Sequence, residues 1–184
     1  MKATILRNAL VMVAAAIAPL AMAATSVDPA KSDIMATFKQ LGVSVDAHFT
    51  KFNAVIDYDP ANVAQAKAQV DIDVASFDLG DAEYNKEVAK KDWFNAASFP
   101  RATFVSSTIT AAGAGKFTAA GTLTIKGKSQ NVTVPVTVKQ VGTDQVFEGT
   151  LPIKRLYFNI GEGEWKDTDT VADEVLVKFK FVKH

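Results

Sequence analysis

The chain contains no cysteine, which removes disulfides, thiolate zinc sites, iron–sulfur clusters and cysteine nucleophiles together. Its only histidines are His48 and His184, so a multi-histidine metal centre is excluded as well. Charge of one sign is also missing, since 20 Lys and Arg face 20 Asp and Glu. A nucleic-acid binder needs a clustered basic surface to neutralise phosphates, and this balance argues against one. What remains is a chain of 184 residues, 48% apolar, in the ordinary globular range.

The start of the chain reads as an export signal. Lys2 and Arg7 precede an apolar run from Ala9 to Leu20, and Ala21-Met22-Ala23 has the small-x-small pattern of a signal-peptidase site. The run is shorter than the about 20 residues a spanning helix needs. Cleavage after Ala23 is expected, delivering residues 24–184 to the periplasm as one domain. Losing Lys2 and Arg7 leaves 18 basic against 20 acidic groups, a net charge of about −2.

Most of the remainder alternates with period two. Ala68, Val70, Ile72 and Val74 are interleaved with Gln69, Asp71 and Asp73. The runs Phe117 to Ile125, Val132 to Val138 and Val175 to Phe181 do the same. Short turn signals separate them, among them Gly113-Ala114-Gly115, Lys126-Gly127-Lys128 and Gly142-Thr143-Asp144. Regular strands with one apolar and one polar face predict an all-β antiparallel sandwich or barrel. The apolar faces are rich in small residues, so a barrel of about eight strands could hold an elongated ligand. Periodicity alone does not separate an occupied lumen from a filled sandwich.

Two places break the rhythm. The apolar phase Val43, Val45, Ala47, Phe49 flips to Phe52, Ala54, Ile56, Tyr58, which predicts a bulge or sharp bend near Thr50-Lys51. Residues 81–91 read as a short helix, with Asp81 as cap, Tyr84 and Val88 on one face and Lys90-Lys91 at the negative end. It leads into Trp93-Phe94 and Phe99-Pro100, an aromatic cluster expected to act as a flap.

Motifs for chemistry fail individually. Gly121-Thr122-Leu123-Thr124-Ile125-Lys126-Gly127-Lys128-Ser129 has one residue too many for a phosphate loop and joins two strands, so it reads as a hairpin. The acidic run Glu162, Glu164, Asp167, Asp169, Asp173, Glu174 lacks the calcium-hand pattern, since Val171 and Ala172 stand at ligand and turn positions. It reads as a solvated loop that Lys154, Arg155 and Lys166 could balance. His48 reads as an exposed strand residue and His184, at the chain end, is expected to fray. No Gly-x-Ser-x-Gly elbow is present. An enzyme is not expected. Arg155, set between Ile153 and Leu156-Tyr157-Phe158, either pairs with a nearby carboxylate, the favoured reading, or faces an anionic head group.

Taken together, ordered segments resemble the YceI-like family of periplasmic lipocalin-like proteins. They are Ser32-Asp33-Ile34 through Lys51-Phe52, then Trp93-Phe94 with Phe99-Pro100-Arg101-Ala102-Thr103-Phe104. The Gly121 to Val132 hairpin and Ile153 to Gly161 complete the set. The resemblance implies an eight-stranded antiparallel lipocalin-like barrel whose long apolar pocket binds a polyisoprenoid or similar lipid. Gln40 departs from it where family members carry a histidine before Leu-Gly, and Gly161-Glu162-Gly163-Glu164-Trp165 marks a subgroup with its own lipid preference. Under this reading the protein is a non-catalytic carrier of an isoprenoid, quinone or fatty-acyl lipid, without a cofactor. Its candidate pocket or mouth residues are Phe38, Phe49, Phe52, Phe77, Trp93, Phe94, Phe104, Phe158 and Trp165, with Arg155 as a head-group contact. The alternative is a stress-related interaction module, with an apolar patch around Trp165, docking on a membrane partner such as a b-type cytochrome or a quinone system. The oligomeric state stays open.

Overall fold

The alternation of small and large apolar residues translates directly into strands. In Lys116–Ile125, Phe117, Ala119, Gly121, Leu123 and Ile125 are all buried while the residues between them are not, as a sheet with one face inward requires. The computed structural model describes residues 25–184, so the expected signal segment 1–23 lies outside the described residues. Among those described, eleven strands form one antiparallel sheet. They are β1 (Thr25–Ser26), β2 (Asp33–Gln40), β3 (Val43–Phe49), β4 (Phe52–Asp57), β5 (Lys67–Asp73), β6 (Phe77–Asp78), β7 (Arg101–Gly113), β8 (Lys116–Ile125), β9 (Lys128–Val141), β10 (Asp144–Lys154) and β11 (Val171–Lys183). Their lateral order is β1-β4-β5-β7-β8-β9-β10-β11-β2-β3-β6.

The count exceeds the expected eight for a specific reason. β3 pairs with β2 and β4 with β5, yet β3 and β4 are one stretch of chain bent at Thr50-Lys51. Counted as one bent strand, they close the sheet into an eight-stranded lipocalin-like barrel. The two-residue strands cover the gaps on either side of the bend, β6 on β3 and β1 on β4. A bend interrupts the ladder and leaves peptide groups without partners. The 3-10 turn Val74–Ser76 supplies them. Thr50 N donates to Ser76 O at 3.1 Å, Lys51 N to Ser76 Oγ at 3.0 Å, and Asp73 N to Lys51 O at 3.0 Å. The phase flip is therefore the seam of the barrel.

The helix α1 (Ala82–Val88) starts where expected, with Asp81 accepting from Glu83 N and Tyr84 N. It ends before Lys90-Lys91, because Phe94 N turns back onto Val88 O and Asn95 N onto Lys90 O. The phosphate-loop near-match is indeed a hairpin. Ile125 pairs with Lys128, and the two-residue turn Lys126-Gly127 carries φ of 48° and 73°, the left-handed pair that suits a tight hairpin.

Candidate functional site

Inside the barrel the inward rows leave two cavities that meet at the waist. One, of about 130 Å³, is bordered by Tyr58, Val70, Phe104, Phe117, Phe147 and Phe179 among others. The second, of about 380 Å³, is bordered by Phe38, Phe49, Phe77, Tyr84, Trp93, Phe94 and Trp165 among others. Ile72, Leu123, Leu151 and Val177 border both, so the two are stacked along one lumen. The walls are overwhelmingly aliphatic and aromatic. Among the described residues no group of His, Asp and Glu is arranged to hold a metal ion, and no helix is long and apolar enough to cross a membrane.

The two ends differ. At the far end Tyr58 stands edge-on to Phe117 and Phe147, with ring centroids 5.4 and 5.5 Å away. Burial there raises its phenol pKa above the ordinary value. At the near end the cavity reaches the surface between Gln40 and Tyr84, both exposed. This mouth is built from the α1 flap and the segment after β10. Phe49, Phe77 and Phe94 form a triangle of rings, with centroids 4.8 to 6.0 Å apart, that holds the flap on the barrel wall. Trp93 leans on Trp165 at 5.3 Å. The indole Nε1 of Trp93 is buried with no hydrogen-bond partner among the described residues.

Arg155 behaves unlike either reading made from its neighbours. It is 2% exposed. Its Nε donates to Ala172 O at 3.1 Å, one terminal nitrogen to Ile160 O and Gly161 O at 2.8 and 3.2 Å, and the other to Trp165 O and Val171 O at 2.7 and 2.6 Å. A guanidinium has five N–H groups, and five main-chain carbonyls take them. The favoured carboxylate partner is therefore replaced by backbone, with Asp173 instead accepting from Leu156 N. Desolvation pulls the guanidinium pKa down, and Asp173 opposes that shift. Gly161 makes the approach feasible: its φ is +79°, and a Cβ there would collide with an Arg155 terminal nitrogen.

Lys126, which sequence reasoning had treated as a turn residue, does similar work. It is 9% exposed. Its Nζ donates to Lys91 O at 2.8 Å, Asn159 O at 2.6 Å and Glu162 Oε2 at 3.0 Å. That bond holds the Glu162 carboxyl below the usual carboxylate range. The flap and the arginine segment are also joined directly, since Gly161 N and Glu162 N both donate to Asp92 O. The acidic stretch is otherwise tied locally, by an Asp167 cap on Asp169 N and Thr170 and by Lys154 near Glu174 at 3.7 Å.

Of the candidate residues, Phe38, Phe49, Phe77, Trp93, Phe94, Arg155 and Trp165 border the near cavity, and Phe104 borders the far one. Phe52 and Phe158 border neither. Phe52 packs on Phe181 at 5.9 Å, and Phe158 is fully buried beneath Tyr157. Tyr58, Tyr84, Phe117, Phe147, Phe179 and Phe181 border the lumen without having been singled out. Strand alternation already placed Phe117, Phe179 and Phe181 on inward faces. It also placed Tyr58 in the inward phase of Phe52, Ala54 and Ile56, without marking it as a lining residue. His48 is exposed and bonds Asp33 at 2.9 Å. His184 is held rather than frayed, with Nδ1 on Asp144 at 2.6 Å and Nε2 on Asp28 at 3.2 Å.

These features define a class: a lipocalin-like barrel with an apolar axial lumen, one end lined by an aromatic cluster and the other by the flap and loops. The model of the YceI-like domain matches residues 26–183, and the chain belongs to that family. BcnA of Burkholderia cenocepacia is 57% identical and superposes with a TM-score of 0.84, over 86% of this chain and 99% of that one. The Campylobacter jejuni YCEI protein is 26% identical with a TM-score of 0.69, over 76% and 84%. A polyisoprenoid binding domain from Saccharophagus degradans, 18% identical, shares the fold with a TM-score of 0.69 over 86% and 97%. A UPF0312 protein of Vibrio cholerae is 31% identical over 105 residues, 56% of this chain. One from Shewanella denitrificans is 35% identical over 111 residues, 60% of this chain. The matched region spans 56%, about half, of the length of these curated relatives.

Proposed function

We propose that the protein is a non-catalytic periplasmic carrier of a long-chain isoprenoid or related lipid, such as a quinone or a fatty-acyl species. The observation that carries this reading is the pair of apolar cavities stacked along the barrel axis, one bordered by Tyr58 and the other reaching the exposed Gln40 and Tyr84. Burying ten methylenes contributes roughly 8 kcal/mol, which corresponds to micromolar binding before association costs are subtracted. A prenyl chain of several units offers more, so no charged anchor is required. The polyisoprenoid-binding description of the Saccharophagus degradans domain, which shares the fold, is consistent with it. The docking-module alternative needs an exposed patch at Trp165, whereas Trp165 is half-buried against Trp93.

Native mass spectrometry of the protein purified from its own periplasm, followed by organic extraction, tests the proposal. A stoichiometric prenyl species is the expected result. A barrel that carries nothing and takes up no long-chain prenyl alcohol from detergent would overturn it.

A further inference from the structure

Large apolar side chains stand exposed around the mouth: Leu41 at 73%, Val43 at 66% and Tyr84 at 63%. Their placement follows from strand register. Gln40 pairs with Val43 across the two-residue turn Leu41-Gly42, and Phe38 pairs with Val45. Val43 therefore ends the inward row of Val45, Ala47 and Phe49, one step beyond the cavity rim. Tyr84 borders the cavity from the opposite side, on α1.

The turn itself carries a local conflict. Leu41 has φ of 49° and Gly42 of 80°, a left-handed pair in which Asn or Asp suits the first position and a branched side chain is disfavoured. Leu41 N is nonetheless pinned to Thr170 O at 2.9 Å. A leucine held in a left-handed conformation and 73% exposed beside an apolar opening is not explained by core packing. These few rim side chains fall well short of the roughly 800 Å² per partner of a stable protein interface. Immersion in a bilayer needs no such area, because each apolar side chain contributes separately. The charges of the flap are paired locally, Lys86 with Glu83 within α1 and Glu87 with Lys90 just beyond it, so the contact is apolar in character.

We infer that the Leu41 hairpin tip, with Val43 and Tyr84, inserts into the surface of a lipid bilayer. Cargo then passes between bilayer and lumen through the Gln40–Tyr84 opening without crossing water. The inference rests on the carrier reading and adds the surface and the route.

The test uses vesicles of equal parts phosphatidylethanolamine and phosphatidylglycerol loaded with a fluorescent long-chain prenyl alcohol. Wild-type protein should co-sediment with them at low and high salt alike, and its rate of cargo uptake should rise in proportion to vesicle concentration. The double variant L41N, V43T should lose about tenfold or more in vesicle-bound fraction and uptake rate. Its melting temperature should stay level or rise, since Asn suits the turn, and its equilibrium affinity for the alcohol presented in detergent should be unchanged. An uptake rate independent of vesicle concentration, or a double variant as fast as wild type, would overturn the inference and leave the carrier standing. Binding only to vesicles that contain membrane proteins would overturn it in favour of a protein partner. Failure of the wild type to take the alcohol from detergent would instead overturn the carrier reading.

Discussion

The two ends of the lumen are built by different physics. At the Tyr58 end, three aromatic rings pack edge to face around the cavity, so apolar contact is sufficient. At the mouth the ladders stop, and the flap and the 155–166 segment carry carbonyls that no strand satisfies. Two cations take them: Lys126 bonds Lys91 O and Asn159 O, and Arg155 bonds Ile160 O, Gly161 O and Trp165 O together with Val171 O and Ala172 O at the start of β11. Charge near an apolar cavity is usually read as a ligand contact. Here it replaces a missing sheet, because irregular backbone can be buried only when its polar groups are paired.

The strongest way to break this comparison is Arg155→Met. It leaves five buried carbonyls without donors, and a loss of roughly 3–4 kcal/mol is expected, about 10 °C in melting temperature for a chain of this size. If the variant melts normally and binds prenyl lipid poorly, Arg155 is a head-group residue and the contrast between the ends fails. Lys126→Met should cost about 1–3 kcal/mol. Amide exchange should accelerate around Asp92 and Gly161 while the β7–β8 ladder stays protected. Uniform acceleration would mean that the mouth does not open as a separate unit.

A change in the far half sharpens the contrast from the other side. Phe104 borders the far cavity and covers Gly121, where a Cβ would meet its ring. Phe104→Ala should therefore weaken prenyl binding several-fold by removing apolar lining. It should cost less stability than truncating Phe94, which is locked in the Phe49–Phe77 triangle. Equal losses in thermal melts would make Phe104 ordinary core.

The smallest expected effect is at the clasp around His184. Hydrogen bonds to Asp28 and Asp144 raise its pKa above the ordinary 6.5, while Asp28 and Asp144 are held below the usual carboxylate range, Asp28 chiefly by the Ala30 amide and Asp144 chiefly by Lys31. A raised folded-state pKa means that the stabilisation is fully present below pH 6.5 and is lost as pH rises through the shifted value. The two aspartates act in the opposite sense, losing their contribution as pH falls through their lowered values. Melting temperature should therefore drop slightly as pH rises above 6.5, and His184→Asn should abolish that slope. An unchanged slope in the variant would assign it to another group.

Period-two alternation was enough to orient each strand, because burial of one sheet face demands it, and the one-residue slip at Thr50-Lys51 located the bend. What it could not show was that β3 and β4 pair with different neighbours, since pairing partners are far apart in sequence. The same limit applies to the site. Phe49, Phe77 and Phe94 were legible as aromatics at a flap, yet Phe52 and Phe158 have equal hydrophobicity and border no cavity. Tyr58 was counted as one inward residue of a strand, and its place in the aromatic cluster depends on where Phe117 and Phe147 arrive from other strands.

By itself, then, the order of residues determined the local terms: alternation, the Asp81 cap, the Lys126-Gly127 turn, and the absence of thiols and of a multi-histidine centre. These depend on neighbours within a few positions, where geometry is set by the chain itself. Only the tertiary structure decided that the interior is hollow and that Arg155 serves carbonyls instead of a carboxylate or a cargo. Void volume and hydrogen-bond satisfaction are properties of atoms brought together across the fold, and no window of sequence contains both partners.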